Sequence, residues 1–177
     1  MDKIANEQLG RLSNEEFKIA PKLPIAIVLD QVRSLHNVGS VFRSADAFRV
    51  SEICLCGITA TPPHREINKT ALGATDSVAW KYFETTEAAI QQLKEKGFII
   101  IAIEQTFSAI SLQAFTWDKE KKYAFVFGHE MDGVSDAALA LSDFSIVIDQ
   151  HGTKHSLNIA VCAGIVLYTA SQAILTS

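Results

Sequence analysis

The sequence has no long apolar run, no excess of positive charge and no even set of cysteines, and each absence removes a class of protein. Its most apolar stretch, Leu157 to Ala170, is too short to span a bilayer and is interrupted by Asn158 and Thr169. It is expected to form a helix buried on nearly all sides, not a membrane span. The opening MDKIANEQLGRLSNEEF is polar and acidic and lacks the apolar core of a secretory signal. Three cysteines leave one over after any pairing, and Cys54 and Cys56 sit at strand spacing, facing the same way. That pattern fits reduced, packed thiols in cytoplasm better than a disulfide scaffold or a zinc site. A net charge of −4 argues against a grip on nucleic acid by charge alone, so any such partner must meet a local basic face.

Signature motifs are missing too. No Gly-x-Gly-x-x-Gly follows the first apolar strand, which sets aside a dinucleotide-dependent oxidoreductase, and no Lys-Ser/Thr follows Gly133, which excludes a Walker loop. His129-Glu130 lacks a second histidine four residues after His129, so it is not a zincin pair. His151 and His155 have no cysteine or carboxylate pattern beside them, and no metal is expected.

What is present is a chain of 177 residues, 48% of them apolar, enough for one domain with a sizeable core. Ser13-Asn14-Glu15-Glu16 has capping-box spacing and predicts a short helix near 14–19. Residues 1–23 are expected to be a helical extension, and residues 24–177 the domain proper. Pro21 and Pro24 fence off a strand at Ile25–Leu29, and strand-like runs recur at Glu52–Cys56, Val78–Phe83, Phe98–Ile103, Tyr123–Phe127 and Phe144–Ile148. Val38, Val41, Phe42, Ala45 and Phe48 form a helical stripe. Ala88–Lys96 reads as a helix ending at Gly97, and Ser135 as the cap of one running through Leu141. Strands alternating with helices predict an α/β fold, a mainly parallel sheet with helices on both faces.

Three segments sit where ligands bind in such sheets, beyond the carboxyl ends of strands. In the first, Ser34-Leu35-His36-Asn37-Val38-Gly39-Ser40 leads into a helix carrying Arg43. By spacing alone Asn37 reads as an N-cap and Arg43 as an ion-pair partner of Asp46. Gly39, Ser40 and Ala47 nevertheless clear the helical face around Arg43, leaving room for a second backbone, a phosphate or a ribose. In the second, Phe125-Val126-Phe127 runs into Gly128-His129-Glu130-Met131-Asp132-Gly133, whose glycines permit close backbone approach or simply a turn. In the third, Gly152-Thr153-Lys154-His155-Ser156-Leu157-Asn158 precedes the apolar helix. Ser156 is a candidate cap there, and Asn158 is a carboxamide that must find partners.

Together, Asn37-x-Gly39-x-x-x-Arg43, Gly128-x-Glu130-x-x-Gly133 and Ser156-Leu157-Asn158 resemble, in order and separation, the three motifs of the SpoU/TrmH family of the SPOUT superfamily. The likeness runs from about Pro24 to Ala173 and takes in Thr61-Pro62-Pro63 through Ala74 and Glu104-Gln105-Thr106. The resemblance implies a C-terminal deep trefoil knot, an exception to the rule that chains do not thread loops. It also implies a homodimer and an S-adenosyl-L-methionine cofactor. That cofactor would contact Ile103, Glu104, Gly128, Ile148, Ser156 and Leu157. The implied activity is methyl transfer to an RNA ribose 2′-hydroxyl, with Arg43, Asn37, Glu130, Ser156 and Asn158 as the catalytic set.

A guanidinium is almost wholly protonated at neutral pH, so Arg43 reads better as an anchor for phosphate and a developing alkoxide than as a base. Ser156 or a water would then relay the proton. Arg33, His36, Arg43 and Arg65 are expected to meet the RNA. The short N-terminal segment favours tRNA; the alternatives are the same fold acting on ribosomal RNA and a non-catalytic RNA-binding assembly factor. One departure from the family stands out: Asp149, where most relatives carry proline, is expected to perturb the adenine loop.

Overall fold

The apolar run of β1 (Leu23–Asp30) is buried on both sides because its alternate residues feed two separate cores. Ile25, Ile27 and Leu29 pack with Val38, Val41 and Phe42 on one face, while Ala26 and Val28 pack with Ala89, Ile90 and Leu93 on the other. Strands covered on both faces read as continuous hydrophobic runs, and each large side chain so buried contributes roughly 1.5–3 kcal/mol. The computed structural model describes Met1 and residues 3–176.

After a 3₁₀ turn at Asn6–Leu9 and helix α1 (Asn14–Ile19), β1 leads through α2 (Leu35–Ala47) to β2 (Val50–Cys56). Two short helices, α3 (Arg65–Ala71) and α4 (Ala74–Ser77), precede β3 (Trp80–Phe83). Then come α5 (Thr86–Glu95), β4 (Phe98–Ile103), β5 (Ile110–Ser111), β6 (Lys122–Phe127), α6 (Asp136–Leu141), β7 (Phe144–Val147) and α7 (Ile159–Thr176). Among the described residues seven strands form one sheet in the order β3-β2-β1-β6-β4-β7-β5, with every pairing between them parallel. The expected α/β sheet with helices on both faces is therefore present. The carboxyl ends of β1, β6, β4 and β7 lie side by side, so the loops leaving them emerge at one edge.

Local signals explain most helix ends. Ser13 accepts from the Glu16 amide while Glu16 Oε2 accepts from the Ser13 amide at 2.8 Å, the expected capping box. Phe17 of α1 is buried in the main core. Ser135 caps α6, and Gly97 takes the left-handed φ of 82° just past α5.

Four readings need correction. Val78 does not begin β3; it closes α4, and the strand starts at Trp80. The space at Gly39 is not open: a Cβ there would overlap the Ile67 carbonyl and the Thr70 hydroxyl. The second backbone that this glycine admits belongs to α3 of the same chain. The apolar segment does not start its helix at Ser156. Asn158 is the cap, its Oδ1 accepting from the amides of Ala160 at 2.9 Å and Val161 at 3.4 Å. Nor is α7 buried all round: Val161, Ile165 and Tyr168, on one helical face, are 53%, 37% and 58% exposed. No helix among the described residues is long and apolar enough to cross a membrane.

Candidate active site

The loops after β4, β6 and β7 and the start of α7 enclose a cavity of about 540 Å³. Ile103 and Glu104 come to it from β4, Gly128 from β6, Ile148 from β7, and Ser156 and Leu157 from the approach to α7. These are the six positions at which the resemblance places cofactor contacts, and all six line one space. Glu130 and Asn158 also line it; Asn37, Arg43, His36 and Arg65 do not.

The loop after β6 is folded tightly on itself. His129 and Gly133 exchange backbone hydrogen bonds, each at 2.9 Å, and Gly133 takes a φ of 72°. A Cβ on Gly128 would overlap the Gly133 carbonyl and the Val134 nitrogen. The glycine is thus required by the loop's own backbone. Two carboxylates from the strands flanking β6 hold the end of this loop. Glu104 accepts from the Val134 amide at 2.9 Å, and the buried Asp30 accepts from the Ser135 amide at 2.8 Å and from Thr86 Oγ1 at 2.5 Å. The sequence reading passed over Asp30 as a clamp, although a carboxylate closing a wholly apolar strand was the available signal.

Residues from the three motifs meet in one hydrogen-bond chain. Glu130 accepts from the amides of Arg33 at 3.0 Å and Ser34 at 2.9 Å and from Asn37 Nδ2 at 3.1 Å. Asn37 Oδ1 in turn accepts from Asn158 Nδ2 at 3.1 Å. Asn37 is therefore not the N-cap of α2; Ser34 is, accepting from the Asn37 amide at 3.3 Å. Freed from capping, the Asn37 carboxamide bridges α2, the loop after β6 and the start of α7.

Burial opposes ionisation of Glu130. The amides of Arg33, Ser34 and Glu130 itself and the Asn37 carboxamide outweigh it, holding the carboxyl below its ordinary 4.5. A lowered folded-state value means that the stabilisation is fully present above about pH 4.5 and is lost as acid carries the pH down through the lowered value. Denaturant titrations should therefore show a stability gap between wild type and Glu130→Gln that is constant from about pH 6 to 8 and narrows as the pH falls below about 4.5. A gap that persists undiminished in acid would mean that the ionised carboxylate is not what joins the motifs.

The segment between β7 and α7 carries Asp149, the family departure. Its carboxylate accepts from Ser111 Oγ on β5 at 2.5 Å, and Asp149 does not line the cavity. A second tie comes from Gln105 Nε2, which donates to the His155 carbonyl at 2.7 Å. Cys162, on the first turn of α7, also lines the cavity, and burial followed by the nearby Glu104 charge pushes its thiol up to about 12.

Arg43 is exposed on α2. Among the described residues no ion pair joins it to Asp46, whose carboxylate instead accepts from Ser77 Oγ. Arg33 and Arg65 are exposed as well, and His36 Nε2 lies 3.0 Å from Glu66 Oε2. No group of three metal-ligating side chains occurs among the described residues.

An all-parallel sheet whose loops enclose a cavity at the strands' carboxyl edge, with ionised and amide groups gathered at its rim, defines an α/β protein built to bind a small molecule there. The particular family is given by comparison: residues 24–168 match the SpoU rRNA Methylase family, to which this chain belongs. The chain is 30% identical over 151 residues to the tRNA (guanosine(18)-2'-O)-methyltransferase of Escherichia coli K12, covering 84% of this chain and 63% of that protein. It thus spans less than two thirds of that relative's length. It is 32% identical to the Thermus thermophilus enzyme of the same name, over 84% of this chain and 74% of the relative. Among solved structures it resembles the AdoMet-bound rRNA methyltransferase from Sinorhizobium meliloti, with a TM-score of 0.78 and 26% identity, over 88% of this chain and 61% of the other.

Proposed function

We propose that this chain transfers a methyl group from S-adenosyl-L-methionine to a ribose 2′-hydroxyl of RNA, with tRNA as the favoured substrate. The observation that carries this reading is the convergence of the three motifs. Six expected cofactor positions border one cavity, and the Glu130–Asn37–Asn158 chain ties its rim to the helix that bears Arg43. The E. coli and Thermus relatives, both tRNA methyltransferases by name, support the choice of substrate.

The cavity suits the cofactor in size and lining. About 540 Å³ is within the range of small-molecule sites, and Ile103, Ile148 and Leu157 offer apolar walls for a ring. Exposed backbone beside Gly128 and Ser156 offers polar anchors. When bound, S-adenosyl-L-methionine supplies an electrophilic methyl on a sulfonium. Arg43 stays charged, holds the neighbouring phosphate and stabilises the oxyanion as the 2′-hydroxyl loses its proton. Ser156 or a water relays that proton to solvent. Asn37, Glu130 and Asn158 act as positioning residues, keeping α2 and the cavity in register. His36 on α2 and Arg65 on α3, the helix packed against it, meet RNA phosphates.

Residues 1–23 are then a helical extension on a 24–177 domain that works in the cytoplasm, and the loops around the cavity form the family's deep trefoil knot. A homodimer completes the protein. The apolar stripe of Val161, Ile165 and Tyr168 supports this, since a second copy would cover it. Ile165→Asp should convert the dimer to monomer in sedimentation velocity. A variant that sediments as the wild-type dimer would move the interface elsewhere.

The reading is tested by incubating the protein with methyl-labelled cofactor and total tRNA or ribosomal RNA. Label in tRNA is the expected result; label in neither RNA overturns it.

A further inference from the structure

Beside the cofactor cavity lies a second hollow of about 340 Å³, lined by Arg33, Ser34, His129, Glu130 and Met131. It shares His129, Glu130 and Met131 with the larger cavity, so the two spaces share one wall. A ribose presented to the larger cavity at this shared wall has room here for an attached group, either its base or a neighbouring phosphate.

The chemistry of the lining decides between them. A phosphate needs free N–H donors or unopposed cations. The amides of Arg33 and Ser34 are already spent on Glu130, at 3.0 and 2.9 Å. The Glu130 carboxyl, held below its ordinary value, is ionised at neutral pH and repels a second anion. His129 Nδ1 is engaged by its own loop, lying 3.3 Å from the Met131 and Asp132 amides and 3.0 Å from Asp132 Oδ2. The cation on the lining, the exposed Arg33 guanidinium, shares the hollow with the Glu130 carboxylate, which offsets its pull on an anion, and beside it stands the Met131 side chain, 87% exposed. A planar guanidinium and a polarisable thioether are both good partners for the face of an uncharged ring.

Resting on the methyltransferase reading, we propose that this hollow receives the base of the nucleotide whose ribose is methylated, with Arg33 and Met131 against its faces. Arg33 is then a residue for base engagement rather than one more phosphate contact.

The test uses the full chain and an RNA carrying, at the mapped target position, either its natural base or an abasic ribose. Stacking on a base is worth enough that removing the base should lower kcat/KM about tenfold or more. Arg33→Ala, which keeps the backbone amide that Glu130 accepts, should lower kcat/KM for the natural RNA by a similar factor. On the abasic RNA, Arg33→Ala should have almost no further effect, because its partner is already gone. Its salt slope should equal that of wild type, whereas loss of a phosphate contact would reduce the slope by about 0.7–0.9. Cofactor affinity should not change, as Arg33 does not line the larger cavity. Equal turnover of abasic and natural RNA, or an Arg33→Ala defect of the same size on both, overturns the base pocket while leaving the methyltransferase reading intact. Failure to methylate any RNA overturns both.

Discussion

Replacing Arg43 with alanine is expected to lower methyl transfer by roughly 10²–10³-fold, the usual consequence of removing one preorganised charge from a developing oxyanion. Cofactor binding should stay at the wild-type level, because Arg43 does not line the 540 Å³ cavity. The residue lies six positions along α2 from Asn37, about 9 Å of helix, and is exposed. On the proposed reading it reaches the reaction from the RNA side. Arg43→Lys should recover little, since an ammonium cannot reproduce the two-pronged planar fork that holds a phosphate. Single-turnover kinetics with calorimetry on the same preparations separates the two quantities. Full activity in the lysine variant would rule out a bidentate clamp, and weakened cofactor binding in the alanine variant would place Arg43 inside the cavity instead.

Gly128→Val should abolish measurable cofactor binding by a different route. The added Cβ alone would overlap the Gly133 carbonyl and the Val134 nitrogen, and neither backbone atom can swing aside as a flexible side chain would. Overpacking costs roughly 1–3 kcal/mol even where neighbours can give way. Here the loop must open, detaching Val134 from Glu104 and Ser135 from Asp30. An affinity loss of at least about 100-fold is expected, together with a modest drop in thermal stability. A variant that melts cooperatively and still binds the cofactor with unchanged affinity would remove the loop after β6 from the cofactor site.

The strands were legible because a parallel sheet buried on both faces needs unbroken apolar runs, and Ile25–Leu29, Phe98–Ile103 and Tyr123–Phe127 provide them. The two-residue β5 was not, since Ile110-Ser111 is too short for any periodicity. Its existence depends on pairing with Ile146 and Val147. The exposed stripe on α7 was hidden for the opposite reason: a helix apolar all round gives no sign of which face its own chain will cover. At the site, Asn37, Glu130 and Asn158 could be singled out one by one, but their bonds span 93 and 121 residues and depend on the strand order. Local chemistry suggested that Asn37 caps a helix. Once Ser34 takes that role, the carboxamide is free to bridge. Gly39 illustrates the same limit, because the backbone that fills the space beside it comes from α3, 28 residues later at Ile67.

The most direct measurement of the central claim is the chemical position of the transferred methyl. RNA labelled by the protein should be digested with alkali, which cleaves only where a free 2′-hydroxyl can attack the adjoining phosphate. The account predicts that the label is recovered in alkali-resistant dinucleotides, because the methyl blocks that hydroxyl. Label recovered in single nucleotides would place the methyl on a base and contradict the account, as would an absence of label from every RNA supplied.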